Sequence, residues 1–380
     1  MFSTSRNEKM VEVMGWSPLP KRHLTCQCGK DIPTDCREAN AMKITTIGID
    51  LAKNVLQVHG VDERGKVLLK KQLKRDQMIT FFANLPACLI GMEACGSAHF
   101  WANKLQGLGH TVKLMAPQFV KPYVKTNKND APDAEAIYEA VTRPTMRFVP
   151  IKSSEQLAVL ALHRARQGFV KARTAQANQI RGLLAEYGLI IPQGITHIGQ
   201  RVPEFLEDSE NCLPGTFRLL LMRLHEHLKE LNKQVNELEE ASVRWHRDSV
   251  ASQTLAQLPG IGPITTSALV ASIGNPRNFQ NGRQLAAWLG LVPRQHSSGG
   301  KQTLLGISKR GDSYLRTLLI NGARAVLRVA EHKESFAGSW LAGVMARRNP
   351  NVAAVAQTAR IIWALLAHDR KYDAHNGMAA

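Results

Sequence analysis

No apolar stretch in this 380-residue chain is long enough to span a membrane, and its first residues lack the apolar core of a signal peptide. A cytoplasmic protein is therefore expected, with no membrane partner. Acids are in short supply: 31 Asp and Glu stand against 49 Lys and Arg, a formal net charge of +18. A surplus of that size implies a polyanionic partner. The membrane surface is the competing polyanion, but the chain has no basic amphipathic helix with an aromatic face to dock there, so nucleic acid is favoured. Cysteine is also sparse, at six residues, and is expected to stay reduced in the cytosol. Cys26, Cys28 and Cys36, with His23, match no common zinc spacing.

The length is too great for one ordinary core and implies two or three domains. Residues 1–41 mix Ser, Pro, Lys, Arg and Cys without periodicity and read as a disordered leader, with Met42 as an alternative start. The fold pattern begins there. Strands are expected at 43–50, 55–61, 66–73, 88–93 and 111–115, and helices at 77–84, 98–108 and 132–141. The polar turn Asp62-Glu63-Arg64-Gly65 joins the second and third strands as a hairpin. Three antiparallel strands followed by alternating strands and helices predict a ribonuclease-H-like (RuvC-like) mixed sheet over 42–150.

Beyond 151 the pattern is helical, so the fold class is α/β plus all-α. Residues 155–187 read as a helix with one basic face made of Arg164, Arg166, Lys171, Arg173 and Arg181, a candidate RNA or DNA contact. Phe217, Leu221, Leu224, Leu228, Leu231, Val235, Leu238 and Trp245 then recur at steps of three and four, with Ser242 filling one longer step. That heptad seam predicts a coiled-coil hairpin or dimer arm within 151–250, with a long helix packed in its own domain as the plainer alternative. In the last region, 251–380, Leu258-Pro259-Gly260-Ile261-Gly262 resembles the turn of a helix-hairpin-helix module, whose glycines expose amides to phosphate. A tight interhelical turn is the alternative. Further helices are expected over 313–329 and 352–366.

Four acids sit where chemistry gathers. Asp50 ends the apolar run Thr46-Ile47-Gly48-Ile49, Glu93 ends Leu89-Ile90-Gly91-Met92, and Asp130 and Asp133 open the helix at 132–141. Each alone has an ordinary explanation as a turn, cap or macrodipole residue. Together, on this β–α pattern and in so basic a chain, they read as oxygen ligands for divalent cations that clamp a phosphodiester. Ser298 lies in the loop 292–303, within Arg294-Gln295-His296-Ser297-Ser298-Gly299-Gly300. A Ser-Ser-Gly-Gly tract is ordinarily a flexible loop, and a serine needs a base or metal to become a nucleophile. Here His296 is available as a base, and Arg294, Lys301, Lys309 and Arg310 are available to hold a phosphate.

Gly48-Ile49-Asp50-Leu51-Ala52-Lys53, Met92-Glu93-Ala94-Cys95-Gly96-Ser97 and Lys128-Asn129-Asp130-Ala131-Pro132-Asp133-Ala134 resemble the DEDD transposases of a bacterial insertion-sequence family, the bridge-RNA-guided recombinases. Gly290-Leu291-Val292-Pro293-Arg294 and Ser308-Lys309-Arg310-Gly311 resemble that family's C-terminal domain. The resemblance runs from about Met42 to about Leu366. It implies Mg2+ (or Mn2+) held by Asp50, Glu93, Asp130 and Asp133, and Ser298 as nucleophile, with Ser297 as the neighbouring register. It also implies donor and target DNA, a guide noncoding RNA, and a dimer or tetramer whose active sites are shared between protomers. Cys95 stands where relatives often carry threonine. The alternatives are a RuvC-type junction nuclease that activates water and a non-catalytic DNA-binding protein. A sugar-kinase-type ATPase is set aside, because Asp50-Leu51-Ala52 lacks the glycine of a phosphate loop.

Overall fold

A computed structural model describes residues 43–125, 130–330, 350–368 and 372. The leader 1–41, with Cys26, Cys28 and Cys36, lies outside them. The strand readings hold to within three residues at either end. β1 (Thr46–Leu51), β2 (Val55–Val61) and β3 (Val67–Lys74) form an antiparallel meander. Asp62 fixes the β2–β3 turn, accepting from the backbone N–H of Arg64 and Lys66, and Gly65 takes φ +80. β4 (Leu89–Glu93) runs parallel to β1, and β5 (Thr111–Met115) runs parallel to β4. A two-residue β6 (Phe148–Val149), absent from the sequence reading, closes the edge antiparallel to β5. The sheet order is β3-β2-β1-β4-β5-β6, the mixed sheet expected.

The two faces of this sheet are built differently. Ile47, Ile49, Leu56, Val58, Ile90, Met92 and Leu114 are fully buried on one face, beneath α1 (Gln77–Ala83) and α2 (Ala98–Gly107) through Phe82, Trp101 and Leu105. The residues between them, Gly48 and Gly91, face the other way, as strand alternation requires. A short α3 (Pro117–Val120) leads to α4 (Asp130–Val141), which crosses that second face. A Cβ on Gly48 would fall 2.6 Å from Tyr138 N and collide with Ala134 O; one on Gly91 would fall 2.8 Å from Val141 Cβ. The glycines let the helix backbone lie against the strands.

The remainder is helical apart from one small ribbon. α5 (Ser154–Ala185) opens with a capping box between Ser153 and Gln156. After α6 (Ile195–Glu207), which the sequence reading missed, α7 (Gly215–Asp248) returns antiparallel to α5. Arg166–Glu239, Arg173–Asn232 and Gln176–His227 are successive cross-links of this hairpin. Phe217, Leu221 and Leu228 pack with Ala177, Ile180 and Leu184 of α5, and Ile198 and Val202 of α6. Burying each such aliphatic side chain contributes roughly 1.5–3 kcal/mol. The seam is thus occupied within one chain, as a hairpin rather than as the dimer arm.

α8 (Val250–Ala256), α9 (Pro263–Ile273), α10 (Gly282–Trp288), α11 (Ser313–Ala330) and α12 (Pro350–His368) share a second core around Leu269, Leu285, Leu289, Leu319 and Ile362. The Gly260 turn between α8 and α9 has φ +77, and its Cα lies so near the α11 backbone that a Cβ would strike Gly322 O. That close approach is a helix-packing use of the motif and favours the interhelical-turn reading of Gly260.

Candidate active site

Asp50 and Glu93 meet because of register. Ile49 pairs with Met92 across the parallel β1–β4 ladder, so the next residue on each strand is an acid. Adjacent strands lie about 4.8 Å apart, and register neighbours share a face. Both acids therefore lie on the glycine-lined face crossed by α4, at the C-terminal ends of their strands. Gln57 stands opposite Asp50, and His59 opposite Gly48, where its ring stacks on Tyr138 at 5.7 Å. Burial lowers the His59 pKa, with Glu135 opposing, so that imidazole is neutral. The Cys95 thiol, just past β4, is raised by burial first and then by Glu93 and Asp50. The shift reports both carboxylates near the thiol.

Asp133 occupies the first turn of α4, half-buried. The helix begins at Asp130, two residues ahead of the expected 132, and the side chain of Asp130 lies outside the described residues. Among the described residues no group of three His, Cys, Asp or Glu side chains converges closely enough to hold a metal ion. The fold therefore brings together Asp50 and Glu93 and lays the Asp133 helix on their face.

The expected loop 292–303 is instead a β-hairpin. β7 (Pro293–Ser298) pairs with β8 (Lys301–Ile307), and Gly299 and Gly300 make the turn at φ +56 and +79. Two consecutive positive φ values are the demand of a type I′ turn. The ribbon is exposed on both faces, so nothing in its sequence alternates between core and solvent. Cross-strand partners share a face. Ser298 opposes Lys301 and His296 opposes Thr303, so these four lie on one side of the tip. Ser297 lies on the other side with Gln302, and its Oγ accepts from Gln295 Nε2 at 2.9 Å.

The base of this ribbon is clamped. A Cβ on Gly290 would fall 2.7 Å from the backbone nitrogens of Arg310 and Gly311, and one on Gly311 would strike Trp288 O. Arg316, buried at the start of α11, donates Nη1 to Leu289 O (3.3 Å) and Gly311 O (2.6 Å). Sequence reasoning missed Arg316, although its place six residues after Arg310 in an apolar helix marks it as a buried cation. Arg294, Lys301, Lys309 and Arg310 are all exposed around the ribbon.

The single basic face on α5 does not exist. At 100° per residue Arg164 and Arg166 point to opposite sides. Arg164 and Lys171 are exposed, whereas Arg166 donates Nε to Glu239 Oε1 at 2.9 Å and is 18% exposed. Arg173 is held by Asn232, and Arg181 caps the carbonyls of Pro192 and Gly194. Three of the five cations thus hold the helical region together.

Residues 47–189 match the family model of DEDD transposases of the IS110 group, described as a transposase, and residues 252–337 match that of transposases of the IS116/IS110/IS902 family. The chain is 52% identical over 335 residues to a probable family 20 transposase of Pseudomonas aeruginosa, covering 87% of this chain and 99% of that protein. It is 43% identical to the transposase for insertion sequence element IS1328 of Yersinia enterocolitica, over 84% of this chain and 96% of the relative. It is 42% identical to the transposase for IS1111A of Coxiella burnetii, over 88% and 93%. The paired strand-end acids and the clamped C-terminal ribbon therefore belong to a member of the IS116/IS110/IS902 family of insertion-sequence transposases.

Proposed function

We propose that this transposase exchanges DNA strands by transesterification, with Ser298 as nucleophile and Asp50, Glu93, Asp130 and Asp133 as the cation-binding acids of a RuvC-like domain. The observation that carries this reading is the shared face at the ribbon tip: Ser298, His296 and Lys301 point the same way from a clamped base. The DEDD domain implies a divalent metal, and the paired carboxylates are an oxygen donor set suited to a hard ion such as Mg2+ or Mn2+. When bound, that ion polarises the scissile phosphate and offsets the charge that builds on it.

The chain's own groups do the rest. His296, two residues along the same face, accepts the Ser298 proton. Ser298 Oγ forms a bond to phosphorus while the bond to the 3′-oxygen breaks, and that oxygen takes up a proton. The 5′-phosphoserine link keeps the energy of the broken bond, so a second 3′-hydroxyl reverses the step on another strand without ATP. Lys301 and the exposed Arg294, Lys309 and Arg310 hold the phosphate backbone. A guide noncoding RNA selects donor and target DNA by base pairing, while the protein reads backbone charge and shape, for which its +18 charge suits it.

The test is a denaturing gel of full-length protein incubated with the guide RNA, DNA carrying the element's ends and Mg2+. A covalent protein–DNA band is expected, lost in Ser298→Ala and kept in Ser297→Ala. Cleavage without any adduct, undiminished in Ser298→Ala, means that water is the nucleophile and the protein is a junction-nuclease-type enzyme.

A further inference from the structure

A cleft of about 410 Å3 opens where α5, α9, α10 and the start of α11 meet. Its size falls in the roughly 300–1,000 Å3 range of small-ligand sites. Neither the family matches nor the strand-exchange reading uses it. Its lining joins two cations, Lys152 and Arg164, to the rings of Trp288 and Tyr314 and to the polar ends of Gln167 and Ser313. We propose that this cleft receives one unstacked nucleotide of a nucleic-acid strand, its base against Trp288 and its phosphate against Lys152 and Arg164.

Trp288 ends α10, whose Leu285 and Ala286, like the following Leu289, are buried in the core. The tryptophan turns outward, 38% exposed. It packs against Phe279, with centroids 5.6 Å apart at 62°. A partly exposed ring that lines a cleft and is braced by a second ring can serve as a stacking platform, and stacking tolerates any base. The cations come from separate elements and are independently positioned. Arg164 lies on the outward stripe of α5, free of the cross-links that occupy Arg166 and Arg173. Lys152 is anchored through its backbone to the sheet region: its N–H donates to His99 Nδ1 at 3.3 Å, and its carbonyl accepts from Asn103 Nδ2 at 2.9 Å. Burial and then Arg164 lower the Lys152 pKa, a penalty that a bound phosphate would offset.

One acid opposes this, Asp312, whose charge acts on Lys152. Its Oδ1 accepts from the backbone N–H of Tyr314 (2.7 Å) and Leu315 (3.2 Å) at the start of α11. Two cations against this one acid leave the lining net positive. Continuity identifies the ligand as part of a strand rather than a free nucleotide. Asp312 follows Lys309-Arg310-Gly311 at the base of the ribbon, and Gly311 packs on the backbone of Trp288. A strand leaving the cleft meets the exposed Lys309 and Arg310 next. A base paired in a duplex cannot reach the ring, so the site takes single-stranded or extruded nucleotides. None of this depends on Ser298 being the nucleophile.

The test uses the full chain and three labelled strands of equal length and charge: oligo-dT, oligo-U and an abasic deoxyribose strand, titrated by fluorescence anisotropy. The wild-type protein is expected to prefer a base-bearing strand over the abasic one by roughly five- to hundredfold, the range of one base–aromatic stack. Trp288→Leu should abolish that preference and Trp288→Phe should keep it. Arg164→Ala should weaken all strands alike and reduce the salt slope by about one. Whichever of oligo-dT and oligo-U shows the Trp288-dependent preference identifies the strand as DNA or RNA. A folded Trp288→Leu protein with the wild-type preference, or an unchanged salt slope in Arg164→Ala, overturns the proposal. If Trp288→Leu does not fold, photocrosslinking of a bromouracil-bearing strand to the wild-type chain replaces it. The crosslink must map to the peptide containing Trp288, and a map without it is equally fatal.

Discussion

Arg164 and Arg166 are two residues apart and do opposite work. Arg166 spans the hairpin to Glu239, and its charge lowers the Tyr314 pKa against the larger effect of burial. Arg166→Ala should cost about 1–3 kcal/mol, as for hydrogen bonds to a charged group, and lower the melting temperature by several degrees. Arg164→Ala should leave melting within about 0.5 kcal/mol of wild type and weaken nucleic-acid binding instead. Equal effects in the two variants would restore the single basic face. Behind Arg166 lies a chain of oriented groups. Tyr314 bonds His163 Nδ1 at 3.0 Å, and His163 Nε2 bonds Ser267 Oγ, which itself donates to Pro263 O at 2.7 Å. Nε2 therefore carries the proton and Nδ1 accepts. Burial first and Arg166 second hold the His163 pKa at about 4, against an ordinary 6.5. His99, half-buried and near Lys152 and Arg164, is also held at about 4. Between these values the unfolded chain binds more protons than the folded one, so stability is full above about pH 6.5 and falls as pH drops towards 4. Melting curves should shift several degrees lower from pH 7 to pH 5, and a flat or rising profile would contradict both assignments.

At the scale of elements, glycines decide which pieces touch. Gly48→Ala puts a methyl against the backbone of α4. Overpacking of this kind costs about 1–3 kcal/mol and more when backbone must move, so circular dichroism melting should drop by several degrees. Gly311→Ala forces the ribbon base off Trp288 and Leu289. Its expected signature is loss of the Ser298 adduct with DNA binding largely kept, because the exposed cations remain. The sheet was legible in sequence because its strands are short apolar runs ended by polar turns. The acids were legible because those runs stop at Asp50 and Glu93. The ribbon was not, since residues exposed on both faces carry no period of two, and Ser-Ser-Gly-Gly looks the same in a loop. Only the Gly299-Gly300 pair pointed to a turn. The basic helix was misread because closeness in sequence is not closeness on a helix surface, and because Glu239 and Asn232 lie more than fifty residues away.

For the whole molecule the open question is how the ribbon and the acids act together. The acids lie on the N-terminal sheet and the ribbon projects from the C-terminal core, joined through the α5–α7 hairpin. That hairpin uses its apolar seam on itself, and its inner cross-links make it a spacer between the two regions, while Leu219, Leu220 and Met222 of α7 stay exposed on its outer side. On the strand-exchange proposal, an exposed ribbon with Ser298 at its tip is suited to reaching the acids of a second copy of the chain. Mixing two inactive variants separates the arrangements. If one active site takes acids and serine from the same chain, Asp50→Ala and Ser298→Ala each spoil their own site, and a mixture stays dead. If the site is shared, the Asp50→Ala protomer still lends an intact Ser298 to the acids of the Ser298→Ala protomer. One competent site then forms in each mixed dimer. The adduct should reappear on mixing after subunit exchange, and only on the Asp50→Ala chain, identified by a size tag. An adduct absent at every mixing ratio, from variants that bind DNA normally and exchange subunits, would place acids and serine of each site in one chain.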